Sequence, residues 1–153
     1  MTPHRMPVET KNPSRRPWRL RLAGLCLGLL VAGVGHAESR LWMTVGERRL
    51  AVILADTDAA RAFAARLPLT LDMSELNGNE KKSDLPDGLP AKPVRPGTIR
   101  DGDLMLYGTN TVVLFYRTFD SSYPYTRLGR VDDPDGLARA LGPRGARVRF
   151  SRD

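Results

Sequence analysis

Gly102-Asp103-Leu104-Met105-Leu106-Tyr107-Gly108-Thr109-Asn110-Thr111-Val112-Val113-Leu114-Phe115-Tyr116 is the stretch from which the fold is read. Two apolar runs, Leu104–Tyr107 and Thr111–Tyr116, flank Gly108-Thr109-Asn110, a turn signal. The pattern is strand, turn, strand. Side chains alternate across a strand, so Val113 and Phe115 share one face and Val112, Leu114 and Tyr116 the other.

Towards the N-terminus, Asp101-Gly102 is another turn, and 84–97 carries Pro86, Pro90, Pro93 and Pro96. Four prolines exclude regular helix and central strand, which leaves an ordered loop or a polyproline-like arm. Asn77-Gly78-Asn79 is a strong turn signal, and Leu69–Met73 before it reads as a strand. The alanine-rich segment 56–67 is predicted helical. Asp56 or Thr57 caps it, Ala60, Phe63, Ala64 and Leu67 share a face, and Pro68 stops it. Leu41–Val45 and Leu50–Leu54 read as a hairpin turning at Gly46-Glu47. Towards the C-terminus, Tyr125–Val131 is a strand. A second helix is predicted with Asp133 as cap, Pro134 at its first position, Leu137 and Leu141 on one face, and Gly142 at its end. Arg147–Ser151 alternates and closes the chain as a strand. Many short strands with two brief helices make the fold mainly β, a closed antiparallel barrel.

Residues 1–37 read differently. Arg15, Arg16, Arg19 and Arg21 precede an apolar run, Leu22 to Gly35, that ends at Gly35-His36-Ala37. This is the pattern of a secretory signal peptide with a small-residue cleavage site. Fourteen apolar-run residues fall short of the ~20 that span a bilayer, so membrane contact is expected only transiently, during export. Ser14-Arg15-Arg16-Pro17-Trp18 resembles a twin-arginine signal, although Arg19 stands where a second apolar residue is usual; the alternative is a general secretory signal with a chance arginine pair. The expected location is periplasmic or secreted, in a bacterium, with 38–153 as one domain.

Both histidines and the single cysteine lie within that leader. The remaining chain therefore has no Ser-His-Asp triad, no His/Cys zinc site and no disulfide. No phosphate loop or dinucleotide fingerprint is present, so no cofactor is expected. Asp132, Asp133 and Asp135 are accounted for by capping and the helix dipole, so no metal is expected. The net charge of +7 falls to +2 without the leader, which holds six basic residues and one acidic residue. A nucleic-acid partner loses its support with that change. Nothing in the pattern specifies an oligomeric state.

Several motifs together resemble a bacterial cyclophilin-like family: Leu67-Pro68-Leu69-Thr70, Asn77-Gly78-Asn79-Glu80-Lys81, Pro96-Gly97-Thr98-Ile99, Gly102–Gly108, Leu114-Phe115-Tyr116 and Tyr125-Thr126-Arg127-Leu128-Gly129. The resemblance covers residues 40–151. It implies a closed cyclophilin-like barrel with one helix after the second strand and another before the last. It brings no settled activity. Cyclophilins hold a proline ring in an apolar pocket, where an arginine donates to the prolyl nitrogen and weakens the amide resonance behind a barrier of ~18–20 kcal/mol. Phe115 falls on their pocket phenylalanine. Val113, however, stands where they place glutamine, and 69–82 contains no arginine. Lys81 and Lys82 stand there instead, and an ammonium is not a planar fork. Arg127 or Arg95 would have to approach from elsewhere.

The expected function is therefore binding of a small molecule or a short, proline-containing peptide. The alternatives are a prolyl isomerase or degenerate relative, and a docking domain that uses the 86–96 arm. Phe115 reads as barrel core or as pocket. Asn77 and Asn79 read as turn residues or, with Glu80 and Lys81, as a binding loop. Tyr107 and Asn110 border the central turn. Phe119, Tyr123 and Tyr125 around Ser121-Ser122 wall a pocket or cover a barrel end. Arg127 pairs with an acidic ligand group or makes an internal salt bridge.

Overall fold

A computed structural model describes residues 39–153; the leader expected at 1–37 lies outside the described residues. Ten strands and two helices run in the order β1 (Arg40–Val45), β2 (Arg48–Leu54), α1 (Asp58–Ala65), β3 (Leu69–Leu76), β4 (Glu80–Asp84), β5 (Gly97–Ile99), β6 (Asp103–Tyr107), β7 (Thr111–Phe115), β8 (Phe119–Ser121), β9 (Thr126–Val131), α2 (Leu137–Leu141) and β10 (Ala146–Ser151). Eight strands close an antiparallel barrel in the order β1-β10-β3-β4-β7-β6-β9-β2, while β5 and β8 pair in a separate ribbon.

The opening stretch folds as expected. β6 and β7 pair from Leu104↔Leu114 to Tyr107↔Thr111, with Gly108 at φ +59° in the turn. The alternation along β7 divides two apolar clusters. Val112 and Leu114 join the interior with Leu41, Met43, Leu50, Val52, Leu71, Met73, Leu104, Leu106, Leu128, Val148 and Phe150. Val113 and Phe115 face outward and pack with Ile99, Met105, Tyr125 and Phe119. The small β5–β8 ribbon and the β9 entry carry the covering residues, so a second core sits on the outside of the barrel.

Helix α1 is capped by Thr57, whose Oγ1 accepts from the Ala60 N–H at 3.0 Å and donates to the Arg127 carbonyl at 2.8 Å. Its buried face is Ala59, Ala60, Phe63 and Ala64, and Phe63 meets Phe150 edge-to-face at 5.3 Å. The end of the helix ties down the proline-rich arm, because Arg66 donates to the carbonyls of Asp87 and Gly88, each at 2.8 Å. That arm is a plug as well as a connector. Leu85 and Leu89 are buried in the barrel core, their N–H groups bonded to the carbonyls of Asn110 and Thr109. Val94 and Tyr125 exchange backbone hydrogen bonds further along.

Two local expectations need correction. Asp133 does not cap α2. The helix starts at Leu137 behind Gly136, which is left-handed at φ +75°, and Asp133 Oδ1 accepts the Asp135 N–H in the preceding turn. The left-handed glycine interrupts the run that Pro134 was expected to begin, leaving a single short turn of helix. β4 was also passed over in the sequence, which showed only the turn before it and the arm after it. Glu80-Lys81-Lys82-Ser83-Asp84 has no apolar residue, yet it lies between β3 and β7 in the closed barrel.

Candidate functional site

The β3–β4 turn is built from its sequence. Asn77 (φ +56°) and Gly78 (φ +69°) both adopt the left-handed conformation that asparagine and glycine tolerate. Glu75 Oε1 accepts the Gly78 N–H at 2.7 Å, and the Gly78 carbonyl accepts from Arg117 Nε at 2.9 Å. The Asn79 carbonyl accepts the Tyr116 N–H at 3.0 Å, fixing where β4 begins.

From that start, alternation decides which charges meet solvent and which enter the barrel. Lys81 pairs with the inward-facing Leu114 and is fully buried. Its ammonium donates to Glu75 and to the carbonyls of Gly142 and Arg144. Tyr116 donates to the same Glu75 carboxylate, 2.8–2.9 Å from its two oxygens. Burial pushes Glu75 up, but the bonds from Lys81, Tyr116 and Gly78 outweigh it and hold the carboxyl below its usual range. Burial, followed by the Glu75 contact, pushes the Tyr116 phenol up to about 12. Lys81 is thus a buried latch between β4 and the α2–β10 loop, on the opposite face of β4 from the groove described next.

Glu80, Lys82 and Asp84 face outward and line a groove of about 540 Å³. Thr111 and Val113 continue its floor along β7. Tyr107 stands on one side, and Phe119, Asp120, Ser121, Ser122, Tyr123 and Tyr125 on the other, with Leu76, Asn77 and Asn79 at the hairpin end. Five aromatic rings run in continuous contact. Tyr123, 61% exposed, meets Tyr107 at 6.4 Å; Tyr107 meets Tyr125 at 5.6 Å; Tyr125 meets Phe115 at 5.5 Å; and Phe115 meets Phe119 at 5.7 Å. Phe115 itself is fully buried beneath the groove and supports Phe119 and Tyr125 rather than lining the cavity.

The polar groups of the groove differ in how well they are satisfied. Asp84 accepts from Thr111 Oγ1 at 2.7 Å, and Asp120 from Thr98 Oγ1 at 2.9 Å. Glu80 is only 8% exposed, and its carboxylate makes no hydrogen bond or ion pair among the described residues. Burial first, and the Glu75 charge second, raise its pKa, with Lys82 opposing them. Asn79 Oδ1 is buried without a partner among the described residues. Burial, then the Glu80 charge, raises the Tyr125 phenol as well.

Of the residues singled out in the sequence, Asn77, Asn79, Glu80, Tyr107, Phe119, Tyr123 and Tyr125 come together at this groove. Phe115 lies beneath it, and three others do not reach it. Lys81 turns inward. Asn110 Nδ2 donates to the Leu85 carbonyl at 3.3 Å and anchors the arm. Arg127 lies 3.7 Å from the buried Asp103 carboxylate, the internal pairing that was one of its two readings. The groove residues that sequence reasoning did not name as binding candidates are mainly Lys82, Asp84, Asp120 and Ser122. The signal for the first two was the parity of the charged strand after Asn77-Gly78-Asn79.

A second concavity, of about 790 Å³, is lined by Ser39, Arg40, Leu54, Arg61, Leu67 and Arg152 among others, and none of the aromatic candidates borders it. No group of three His, Cys, Asp or Glu side chains among the described residues is placed to hold a metal ion.

Residues 43–151 match the model of the cyclophilin-like family. Among curated proteins, none matches the chain in sequence. The structure is similar to the solution structure of a hypothetical protein from Archaeoglobus fulgidus, with a TM-score of 0.50 and 17% identity over 79% of this chain and 99% of that one. At that identity the likeness speaks to the fold alone.

Proposed function

The chain belongs to the cyclophilin-like family, and from that premise we propose that it is a binding module whose ligand, a small organic molecule or a short peptide, lies in the groove between β4, β7 and the β8 segment. The observation that carries this reading is the outer aromatic core. Rings at 5.5–6.4 Å spacing lead from an exposed tyrosine to a buried phenylalanine, and Asn79 Oδ1, buried without a partner among the described residues, lines the same groove. Aromatic rings beside polar groups that can orient a ligand, as here in one concave surface, are features of small-ligand sites. No arginine among the described residues lines the groove. The donor to a prolyl nitrogen that the cyclophilin resemblance calls for has no counterpart at the floor, which favours binding over isomerisation. The reading also places the barrel outside the cytoplasm, following the leader pattern of residues 1–37; replacing Arg15 and Arg16 with lysine is expected to trap unprocessed precursor if the route is twin-arginine.

NMR titration of the full chain with a panel of Xaa-Pro peptides and aromatic fragments tests the site. Resonances of Val113, Phe119, Tyr123 and Tyr125 are expected to shift, without faster cis/trans exchange of the peptides. Ser122→Trp, at an exposed position on the groove wall, is expected to remove the shifts. Accelerated exchange would make the chain an isomerase. Shifts confined to other parts of the barrel would remove the groove as its site.

A further inference from the structure

Glu80 and Phe115 are direct cross-strand partners of β4 and β7, and both point outward. The Glu80 side chain therefore leaves the sheet next to the residue whose ring packs on Phe119 and Tyr125. Glu80 as a residue is only 8% exposed and lines the groove, and its carboxylate has no hydrogen-bond or ionic partner among the described residues. Its chain neighbour Asn79 presents a buried acceptor, Oδ1, without a partner among the described residues. An ionised carboxylate and an amide oxygen can only accept. A buried, unpaired amide oxygen beside a carboxylate that no described protein group pairs calls for a ligand that donates, since a buried polar group left unpaired is costly.

The charges around them narrow the choice. Among the described residues, Glu80, Asp84 and Asp120 share the groove with one cation, Lys82. Glu75, on β3, adds to the negative field at Glu80, and Lys82 opposes it. The other titratable groups on the groove wall are the phenols of Tyr107, Tyr123 and Tyr125. A ligand anion would meet three carboxylates, and a carbonyl ligand would leave both acceptors unpaired. A cation gains from the acids and from the aromatic faces, to which cations are drawn by the ring quadrupole.

We propose that the groove binds an organic cation, an N–H-bearing ammonium or guanidinium on a flat or apolar body, with its charged head donating to Glu80 and Asn79 and its body lying against Tyr107, Phe119 and Tyr125. This rests on the groove being the binding site, and it names the class of ligand. The chemistry is shared by free aromatic amines and by lysine or arginine side chains of a peptide. Proton and ligand compete for Glu80, so affinity falls as the pH drops through that group's raised pKa.

The test is calorimetric titration of the full chain, with NMR mapping, using 2-phenylethylamine, its neutral isostere 2-phenylethanol, and N-acetyl-arginine methylamide. The amine is expected to bind with shifts at Val113 and Tyr125, and the alcohol to bind much more weakly. Glu80→Gln, which keeps the shape, is expected to weaken the amine by at least about ten-fold, the scale of one hydrogen bond to a charged group. Tyr107→Ala, at a half-exposed ring, provides a second variant if the first fails to fold, and should weaken both probes. Tighter binding of the arginine derivative than of the amine assigns a peptide source; the reverse assigns a free amine. If amine and alcohol bind alike at the groove and Glu80→Gln changes neither, the cation proposal is overturned while the groove remains the site. If no cationic probe binds but Xaa-Pro peptides shift the groove resonances, the outcome is the same. Silence from every probe removes both readings.

Discussion

Glu80 and Lys81 are neighbours on β4, both charged and both buried, and their surroundings are opposite. Lys81 turns into the barrel and is met by a carboxylate and two backbone carbonyls. Glu80 turns out into the groove and is met by nothing that donates to it among the described residues. A buried charge survives in a fold either because its bonds are supplied, or because the rest of the fold carries the cost of leaving them unsupplied. The first is the signature of architecture. The second is what the proposed binding role of the groove calls for, at the expense of stability.

The comparison is broken most severely at Lys81. Lys81→Ala removes the ammonium and strands Glu75 and the carbonyls of Gly142 and Arg144, three groups in or near the barrel interior. Loss of one partner from a buried ion pair costs about 3–5 kcal/mol. Urea denaturation of the variant is expected to show a loss on that scale, and ligand binding is expected to fail only as far as the fold does. A variant that stays as stable as the parent would remove the latch role.

Tyr116→Phe is the next step down. It deletes one hydroxyl donor to Glu75 and leaves Lys81 in place, and hydrogen bonds to charged groups contribute about 1.5–3 kcal/mol. It also exposes a pH dependence whose sign follows from Glu75. The folded pKa of that carboxyl is held below its unfolded value, so its contribution is present above the unfolded pKa and is lost as the pH falls through the folded one. The phenol's removal should therefore cost most at neutral pH and less in acid. Melting curves between neutral and acidic pH check this, and a uniform loss across that range would contradict it.

How much of this was legible in the sequence depended on apolar pattern. β6 and β7 could be read because alternation and a glycine turn bracket them, and the division of Val113 and Phe115 from Val112 and Leu114 followed directly. Helix α1 was legible from its alanines and its cap. The groove's aromatic side was also legible, because Phe119, Tyr123 and Tyr125 lie within seven residues of one another. β4 was not. A strand of five polar residues carries no periodic signal, and its place is dictated by β3 and β7 on either side, which is a tertiary fact. Lys81 was accordingly grouped with Glu80 as one binding loop. Only the strand's parity, fixed by the Asn77-Gly78-Asn79 turn, sends the two side chains to opposite faces. Asp133 failed as a cap for a related reason: the proline after it fitted a helix start, but Gly136 in the left-handed region postponed the helix until Leu137.

Glu80→Gln gives the smallest effect, and the one whose sign separates the two kinds of buried charge. The folded pKa of Glu80 lies above its unfolded value, chiefly through burial. Between those two values the native chain binds more protons than the unfolded chain, so this residue makes stability fall as the pH rises. Glutamine keeps the volume and abolishes the titration. The variant is therefore expected to match the parent in acid, below the unfolded pKa, and to become progressively more stable than it towards neutral pH. The gain should be about 1 kcal/mol, the scale of a single optimised charge, and a few degrees in melting temperature. Glu80 would then behave as Lys81 cannot, with its loss strengthening the empty fold while weakening the hold on a cationic ligand. If Glu80→Gln instead melts lower at neutral pH, the carboxylate has a stabilising partner in solution, and the contrast between the two faces of β4 collapses.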